Sequence, residues 1–405
     1  MPGSFDSKDF LRRNGSMTTM LLLVILVGLG EKMAERFLPL YVLALGGSTW
    51  AIGALNSMDN LLSALYSFPG GYLADRIGYK KSLQLFTGIA MFGYLIVIFI
   101  PIWQAVIAGS IFFISWTAVS LPAIMSLVSK AVPKEKRSFG VSLHSFFRRI
   151  PMALGPIIGG LLIGAYGREI GIRIAFVVAF TMGGIALLLV HRFMEEDAPI
   201  KTSERQARTK VTNLFNPALR SLLASDILVR FAEQIPYAFV VLWVVDNNGI
   251  SPLQFGLLTT IEMATAMIVY IPVARMADAY GKKRFVLATF AFFTAFPLVL
   301  LASHNFPMLV VAFIVRGLKE FGEPTRKALI MDLAPDDAKA RTFGTYYLIR
   351  DIIVSVAALS SAFLWNISPA TNFMAAAVFG IIGTTLFAVY GKDIVPEPTS
   401  RKSIS

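Results

Sequence analysis

Residues 71–81 read GYLADRIGYKK, and residues 274–283 read ARMADAYGKK. In each, a small residue (Gly71, Ala274) precedes an aspartate (Asp75, Asp278), a glycine (Gly78, Gly281) and a cluster of bases. Both stretches lie between apolar runs of roughly 20 residues, long enough for a helix to cross a hydrocarbon core of about 30 Å. Glycine at such a join allows a tight turn. Small residues let helices approach closely in a membrane. An acid at a helix end can pair with bases or meet the positive end of a neighbouring helix.

Further pairs of segments lie in the same order on either side of the middle. AERFLP, with Glu35 and Pro39, has a counterpart in AEQIP, with Glu233 and Pro236. GALNSMDN matches GLLTTIEM and sets Asp59 opposite Glu262, while LPAIMSLVSKAVP matches EPTRKALIMDLAP and sets Pro122 opposite Pro324. Markers repeating at a similar offset predict two related halves, a parallel repeat of the kind found in transporters.

Composition agrees with a membrane reading. The chain has 405 residues, 56% hydrophobic and 15% charged, with mean hydropathy +0.66. Soluble chains are about 45–50% apolar and about 25% charged. Twelve spans are expected, at roughly 17–45, 50–72, 83–102, 104–129, 139–165 and 172–192, then 219–246, 252–276, 284–303, 307–333, 343–366 and 370–391. The expected organisation is a tail (1–16), a six-helix bundle (17–192), a polar linker (193–218, containing HRFMEEDAPIKTSERQARTK), a second bundle (219–391) and a tail (392–405). Alternate loops carry the bases, including Arg76, Lys80 and Lys81, then Lys201 and Arg205, then Lys282, Lys283 and Arg284. The positive-inside rule therefore puts both termini in the cytoplasm. It also accounts for the net charge of +12 without nucleic acid as a partner. There is no cysteine, and His144, His191 and His304 are scattered, so neither thiolate chemistry nor a metal site is expected. No nucleotide-binding loop or nucleophile–base constellation is present, and an enzyme is not expected.

The apolar spans carry charges unevenly. Glu31, Lys32, Glu35 and Arg36 fall in the first, Asp59 in the second, Arg148 and Arg149 in the fifth, and Arg230 and Glu233 in the seventh. Glu262 falls in the eighth, Arg316, Lys319, Glu320 and Glu323 in the tenth, and Arg350 and Asp351 in the eleventh. A charge at the bilayer centre costs about 2.5–3.5 kcal/mol or more, so it faces protein or water and marks function. Glu31 and Glu35 share a helix face, Arg230 and Glu233 are spaced to pair, and Arg316, Lys319/Glu320 and Glu323 are expected as a ladder down one face. A partly desolvated carboxylate can load and release a proton near neutrality. Glu31, Glu35, Asp59, Glu233 and Glu262 are the candidate proton carriers. Arg148, Arg149, Arg230 and Arg316 would tune them or hold an anionic part of a substrate.

The loop Gly71, Asp75, Arg76, Gly78, Lys80, Lys81 resembles the signature loop of the major facilitator superfamily, and Asp278 and Gly281 fit its degenerate second copy. The resemblance implies two pseudo-symmetric six-helix bundles, an all-α polytopic fold, and a loop acting as a latch on the outward-facing state. It also implies that the third helix of each triplet is an outer buttress, matching the spans without interior charges. GPIIGG at 155–160 is similar to the end of the Gly-Pro signature of proton-coupled drug exporters, and a small-residue packing face reads equally well there. EKMAERF at 31–37 is similar to a helix of proton-coupled peptide transporters, with Glu31 displaced by one residue.

These readings point to a secondary active transporter in the plasma (inner) membrane, a monomer driven by a proton gradient without a cofactor. The favoured form is a proton-coupled antiporter exporting drug-like or metabolite compounds. An uptake symporter for an organic anion, sugar acid or peptide, and a non-transporting sensor or scaffold, stay open as alternatives.

Overall fold

A computed structural model of the chain describes residues 15–114, 116–131, 137–196, 215–335 and 339–392. Most of the expected tails and linker, and the side chains of Gly71, Asp75 and Asp278, lie outside the described residues. What is described is helical. The elements are α1 (Gly15–Glu35), α2 (Leu38–Ala44), α3 (Thr49–Ile77), α4 (Tyr79–Phe99), α5 (Trp103–Phe113), α6 (Trp116–Ala131), α7 (Arg137–Tyr166) and α8 (Arg168–Phe193). After the linker come α9 (Pro217–Tyr237), α10 (Val240–Leu242, continued by a π-turn Trp243–Asn247), α11 (Pro252–Tyr280), α12 (Lys283–Leu301), α13 (Phe306–Leu318), α14 (Glu323–Leu333), α15 (Lys339–Ile367) and α16 (Pro369–Tyr390).

Among the described residues, nine helices are long and apolar enough to cross a membrane, or ten if the pair Pro217–Tyr237 and Val240–Asn247, bent by 43°, is one span. The other two expected spans fail for visible reasons. α3 is 29 residues long but has Asn56, Asp59 and Asn60 in its middle, and α13–α14 is broken and charged. Leu188, Ile268 and Val356 are exposed apolar residues on long helices, as lipid contact requires.

Among the described residues, three spans expected as continuous helices are interrupted, and proline explains two of the breaks. Proline lacks an N–H and its ring clashes with the carbonyl four residues back. For Pro39 that residue is Glu35, where α1 ends before the turn at Arg36–Phe37. For Pro324 it is Glu320, inside the turn Lys319–Gly322 that separates α13 from α14. The ladder Arg316–Lys319/Glu320–Glu323 is therefore not one helix face. Arg316 lies in the last turn of α13 and Lys319 caps it, while Glu323 opens α14, the signs that the two helix dipoles favour.

The described residues form two compact units. Among these residues, the first holds 15–196 with Ala238–Thr260 and Ala358–Asn366, and the second holds 215–237, Ile261–Ala357 and 367–392. In the first, α1 packs on α7 and α8, α3 on α6, and α4 on α5 and α8. In the second, α16 packs on α9 and α12 around Leu222, Val229, Phe290, Phe293, Tyr346 and Phe387.

Candidate functional site

Within the first unit, α1, α3, α6 and α7 enclose a cavity of about 150 Å³ lined by Glu31, Lys32, Glu35, Asp59, His144 and Arg148. Glu31 is about 24 Å along α1 and Asp59 about 15 Å along α3 at 1.5 Å per residue, so both lie well inside their helices. Trp116, Thr117 and Ser120 of α6 add an aromatic and hydroxyl wall.

The charges are unequally matched here. Lys32 sits between two carboxylates, its Nζ 3.1 Å from Glu31 Oε1 and in close contact with Glu35. The second oxygen of Glu31 is buried with no hydrogen-bond partner in the protein. Asp59 accepts a 3.4 Å hydrogen bond from the Ser63 hydroxyl, and among the described residues no base makes an ion pair with it. Four of the sequence-derived candidates (Glu31, Glu35, Asp59 and Arg148) thus share one cavity, and Arg149, the next residue on α7, does not line it. The GPIIGG run backs this site. Gly155 lies against Lys32, and a side chain on Gly159 would strike the Met33 carbonyl, so the glycine face of α7 seats directly behind the charged turn of α1.

The second unit gathers a denser cluster from α9, α11, α13, α14 and α15. Glu233 accepts from Arg230 at 2.5 Å and from Lys319 at 2.7 Å. Glu262 lies 3.3 Å from Arg316 and 3.6 Å from Lys319. Glu323 takes Arg326 at 2.7 Å and Arg230 at 3.2 Å. Asp226 is bonded to Arg326 and accepts from the Tyr346 hydroxyl at 3.0 Å, with Arg350 at 3.6 Å. Arg350 also reaches Asp351 at 2.7 Å. Aromatic faces cover the cations: Phe293 lies 5.0 Å from Arg230, Phe296 5.1 Å from Arg316 and Tyr347 4.2 Å from Arg350. Glu320 stands on the turn between α13 and α14. Every other second-half candidate for coupling or the charge network is brought together, and each acid there touches a base.

Sequence reasoning missed the centre of this cluster. Arg326 and Asp226 are each 1% exposed and neither was singled out. Both had a signal. Asp226, Arg230 and Glu233 fall at i, i+4 and i+7, and Arg326 is the next rung after Glu323. His144 and Lys32 were also passed over as site residues, although His144 stands one turn before Arg148 on the same face of α7.

The family model of the Major Facilitator Superfamily matches residues 20–232 and 222–404. The chain belongs to the major facilitator superfamily. Multidrug resistance protein MdtG of Salmonella paratyphi C (strain RKS4594) is 27% identical over 285 residues, 67% of this chain and 69% of that protein. The multi-drug resistance efflux pump PmrA homolog of Lactococcus lactis subsp. lactis (strain IL1403) is 24% identical over 384 residues, 90% of this chain and 89% of that protein. In fold, the chain is similar to the peptide transporter POT, with TM-score 0.78 and 13% identity over 96% of this chain and 98% of the other. It is similar also to the nucleoside transporter NupG, with TM-score 0.77 and 12% identity over 93% and 100%. The chain is a multi-pass membrane transporter of this superfamily.

The superfamily's signature loop has the backbone that its glycine demands. Gly78 joins α3 to α4 at φ 84°, ψ 164°, a region open essentially to glycine alone. Gly281 takes φ 89° at the corresponding join. Lys80 and Lys81 open α4, and Arg76 is exposed at the end of α3. In the second copy, Lys282 pairs with Asp332 of α14.

Proposed function

We propose that this transporter is a proton-coupled antiporter that exports small, amphipathic organic compounds, with the proton carried by the carboxylates of the first unit. The observation that carries this reading is the contrast between Asp59 and the acids of the second unit. Asp59 faces a cavity without an ion-pair partner among the described residues, whereas Asp226, Glu233, Glu262 and Glu323 are each held by arginine or lysine. An unpaired carboxylate in a membrane is costly when ionised, so it is tolerated as the neutral acid or with a substrate cation beside it. That is the property a site needs if proton and substrate are to compete for it. Glu31 and Glu35 share one ammonium, which can follow whichever carboxylate is ionised. The second-unit acids are then electrostatic struts, and Arg148 is a positive pole at the cavity edge.

The names of the two relatives, a multidrug resistance protein and a multi-drug resistance efflux pump homolog, support export of drug-like compounds, and the GPIIGG run on α7 agrees with that branch. The loop Gly71–Lys81, with Asp278 and Gly281 in its second copy, serves as the conformational latch. The basic loops support a plasma-membrane topology with both termini in the cytoplasm.

The test is Asp59→Asn and Glu35→Gln in vesicles driven by a pH gradient. Both variants are expected to fold and to lose gradient-driven substrate accumulation. Wild-type accumulation in both would show that these acids are structural.

A further inference from the structure

Arg220 of α9 stands where the repeat does not ask for a charge. The offset that sets Glu35 opposite Glu233 sets Leu22 of α1 opposite Arg220, and Leu22 is 41% exposed. Arg220 is exposed as well. Among the described residues its side chain makes one polar contact, from Nε to the Phe215 carbonyl at 2.9 Å, and no acid pairs with it. The four arginines of the charge cluster, by contrast, each have a carboxylate. The bond to Phe215 orients the guanidinium and leaves its two terminal nitrogens open to a ligand.

Two open grooves of the second unit meet at this residue. One, of about 370 Å³, runs between α9 and α15 past Leu223, Ile227, Ile349 and Ile353. The other, of about 430 Å³, runs between α9 and α16 past Leu386, Tyr390 and Lys392. Arg220 and Ala224 line both, and neither groove is lined by an acid among the described residues. Pro217 begins α9 and Tyr390 ends α16, so the two bases lie at the membrane boundary. Arg220 is about 4.5 Å along α9 and Ile227 about 15 Å at 1.5 Å per residue, so the apolar walls run inward from the bases. Tyrosine is enriched at that boundary, and Tyr390 is exposed there. Ile352 of α15 and Val389 of α16 are exposed apolar neighbours of the grooves, as lipid contact requires.

We propose that Arg220, Lys392 and these two grooves bind one anionic glycerophospholipid, with its phosphate on the two bases and one acyl chain in each groove. A guanidinium fork matches a phosphate, and basic pockets between membrane helices take anionic headgroups. Charge complementarity selects the occupant. A zwitterionic lipid brings its own cation to a pocket that already holds two, and a free phosphate leaves the apolar walls unfilled. The positive-inside rule asks for bases near these helix ends, and not for two apolar grooves that meet at one of them. The site requires only that the chain cross a membrane and is independent of the proton reading.

The full chain in a neutral detergent is titrated with phosphatidylglycerol, phosphatidylcholine or inorganic phosphate, and bound lipid is counted by native mass spectrometry. The wild type should hold one phosphatidylglycerol about tenfold more tightly than phosphatidylcholine, and inorganic phosphate should not displace it. Arg220→Leu, which installs the residue that the repeat carries, should weaken phosphatidylglycerol about tenfold and leave phosphatidylcholine unchanged. Ala224→Trp, which keeps both bases and fills the junction of the grooves, should weaken both lipids. Arg192→Gln, which removes an exposed base at the end of α8, should change nothing. Equal retention of the two lipids by the wild type, or a loss in Arg192→Gln as large as that in Arg220→Leu, would overturn the site in favour of unspecific surface charge. Displacement of the lipid by inorganic phosphate would also overturn it. Wild-type retention in both α9 variants would mean that something else, such as the chain's own tail beyond Lys392, covers the grooves. The two α9 variants act by charge and by shape, so a folding defect in one leaves the other decisive.

Discussion

Asp59 and Asp226 are both aspartates on long helices of the bundle, and their surroundings assign them opposite work. Asp226 has Arg326, Arg350 and the Tyr346 hydroxyl around it, while Asp59 accepts a hydrogen bond from the Ser63 hydroxyl and, among the described residues, no base makes an ion pair with it. Removing one partner of a buried ion pair leaves an uncompensated charge and costs about 3–5 kcal/mol. Arg326→Met should therefore lower unfolding stability in detergent by about that amount, because Asp226 and Glu323 both lose their closest base. Asp59→Asn, by contrast, should leave stability nearly unchanged and remove gradient-driven transport, so the ratio of the two effects distinguishes strut from carrier. That the spans carry buried charges was legible in the sequence, since most stand out against apolar neighbours, although Asp226 and Arg326 were overlooked. Which charges pair was not. Arg326 and Asp226 are 100 residues apart in the chain, and periodicity reports faces of one helix, never the partner across a bundle. Local pairs did show, as with Arg230 and Glu233, because three-residue spacing fixes their geometry.

At the scale of the element, hydropathy described spans and overlooked breaks. An average over about 20 residues does not register the clash between Pro39 and the Glu35 carbonyl, or the turn ahead of Pro324. Yet the breaks place the charges: Glu35 ends α1, Lys319 caps α13 and Glu323 begins α14. The turn between α3 and α4 was legible because its glycine has a single physical purpose. Gly78→Ala should cost about 1–3 kcal/mol, since alanine is strained at that backbone geometry. The cost should appear as lowered thermal stability, larger than that of Lys81→Ala on the exposed first turn of α4. Equal stability of the two variants would mean that the turn tolerates a side chain.

For the whole molecule, the absence of cysteine makes topology directly measurable with single introduced thiols. Lys81→Cys and Lys283→Cys should label from the cytoplasmic side only, and Gly249→Cys from the opposite side only. Labelling of Gly249→Cys from the cytoplasm would reverse the orientation drawn from the basic loops. The repeat in the sequence, the signature loop and the superfamily match agree on the architecture, whereas the unequal charge balance of the two units became visible only in three dimensions. That inequality is the centre of the functional account, and proton movement tests it most directly. Inside-out vesicles with an acid interior are challenged with a panel of cationic, neutral and anionic compounds while lumenal pH is followed. The account predicts substrate-triggered alkalinisation that Asp59→Asn and Glu35→Gln abolish. Transport of a panel compound with no change in lumenal pH, or with a change that both variants retain, would contradict it.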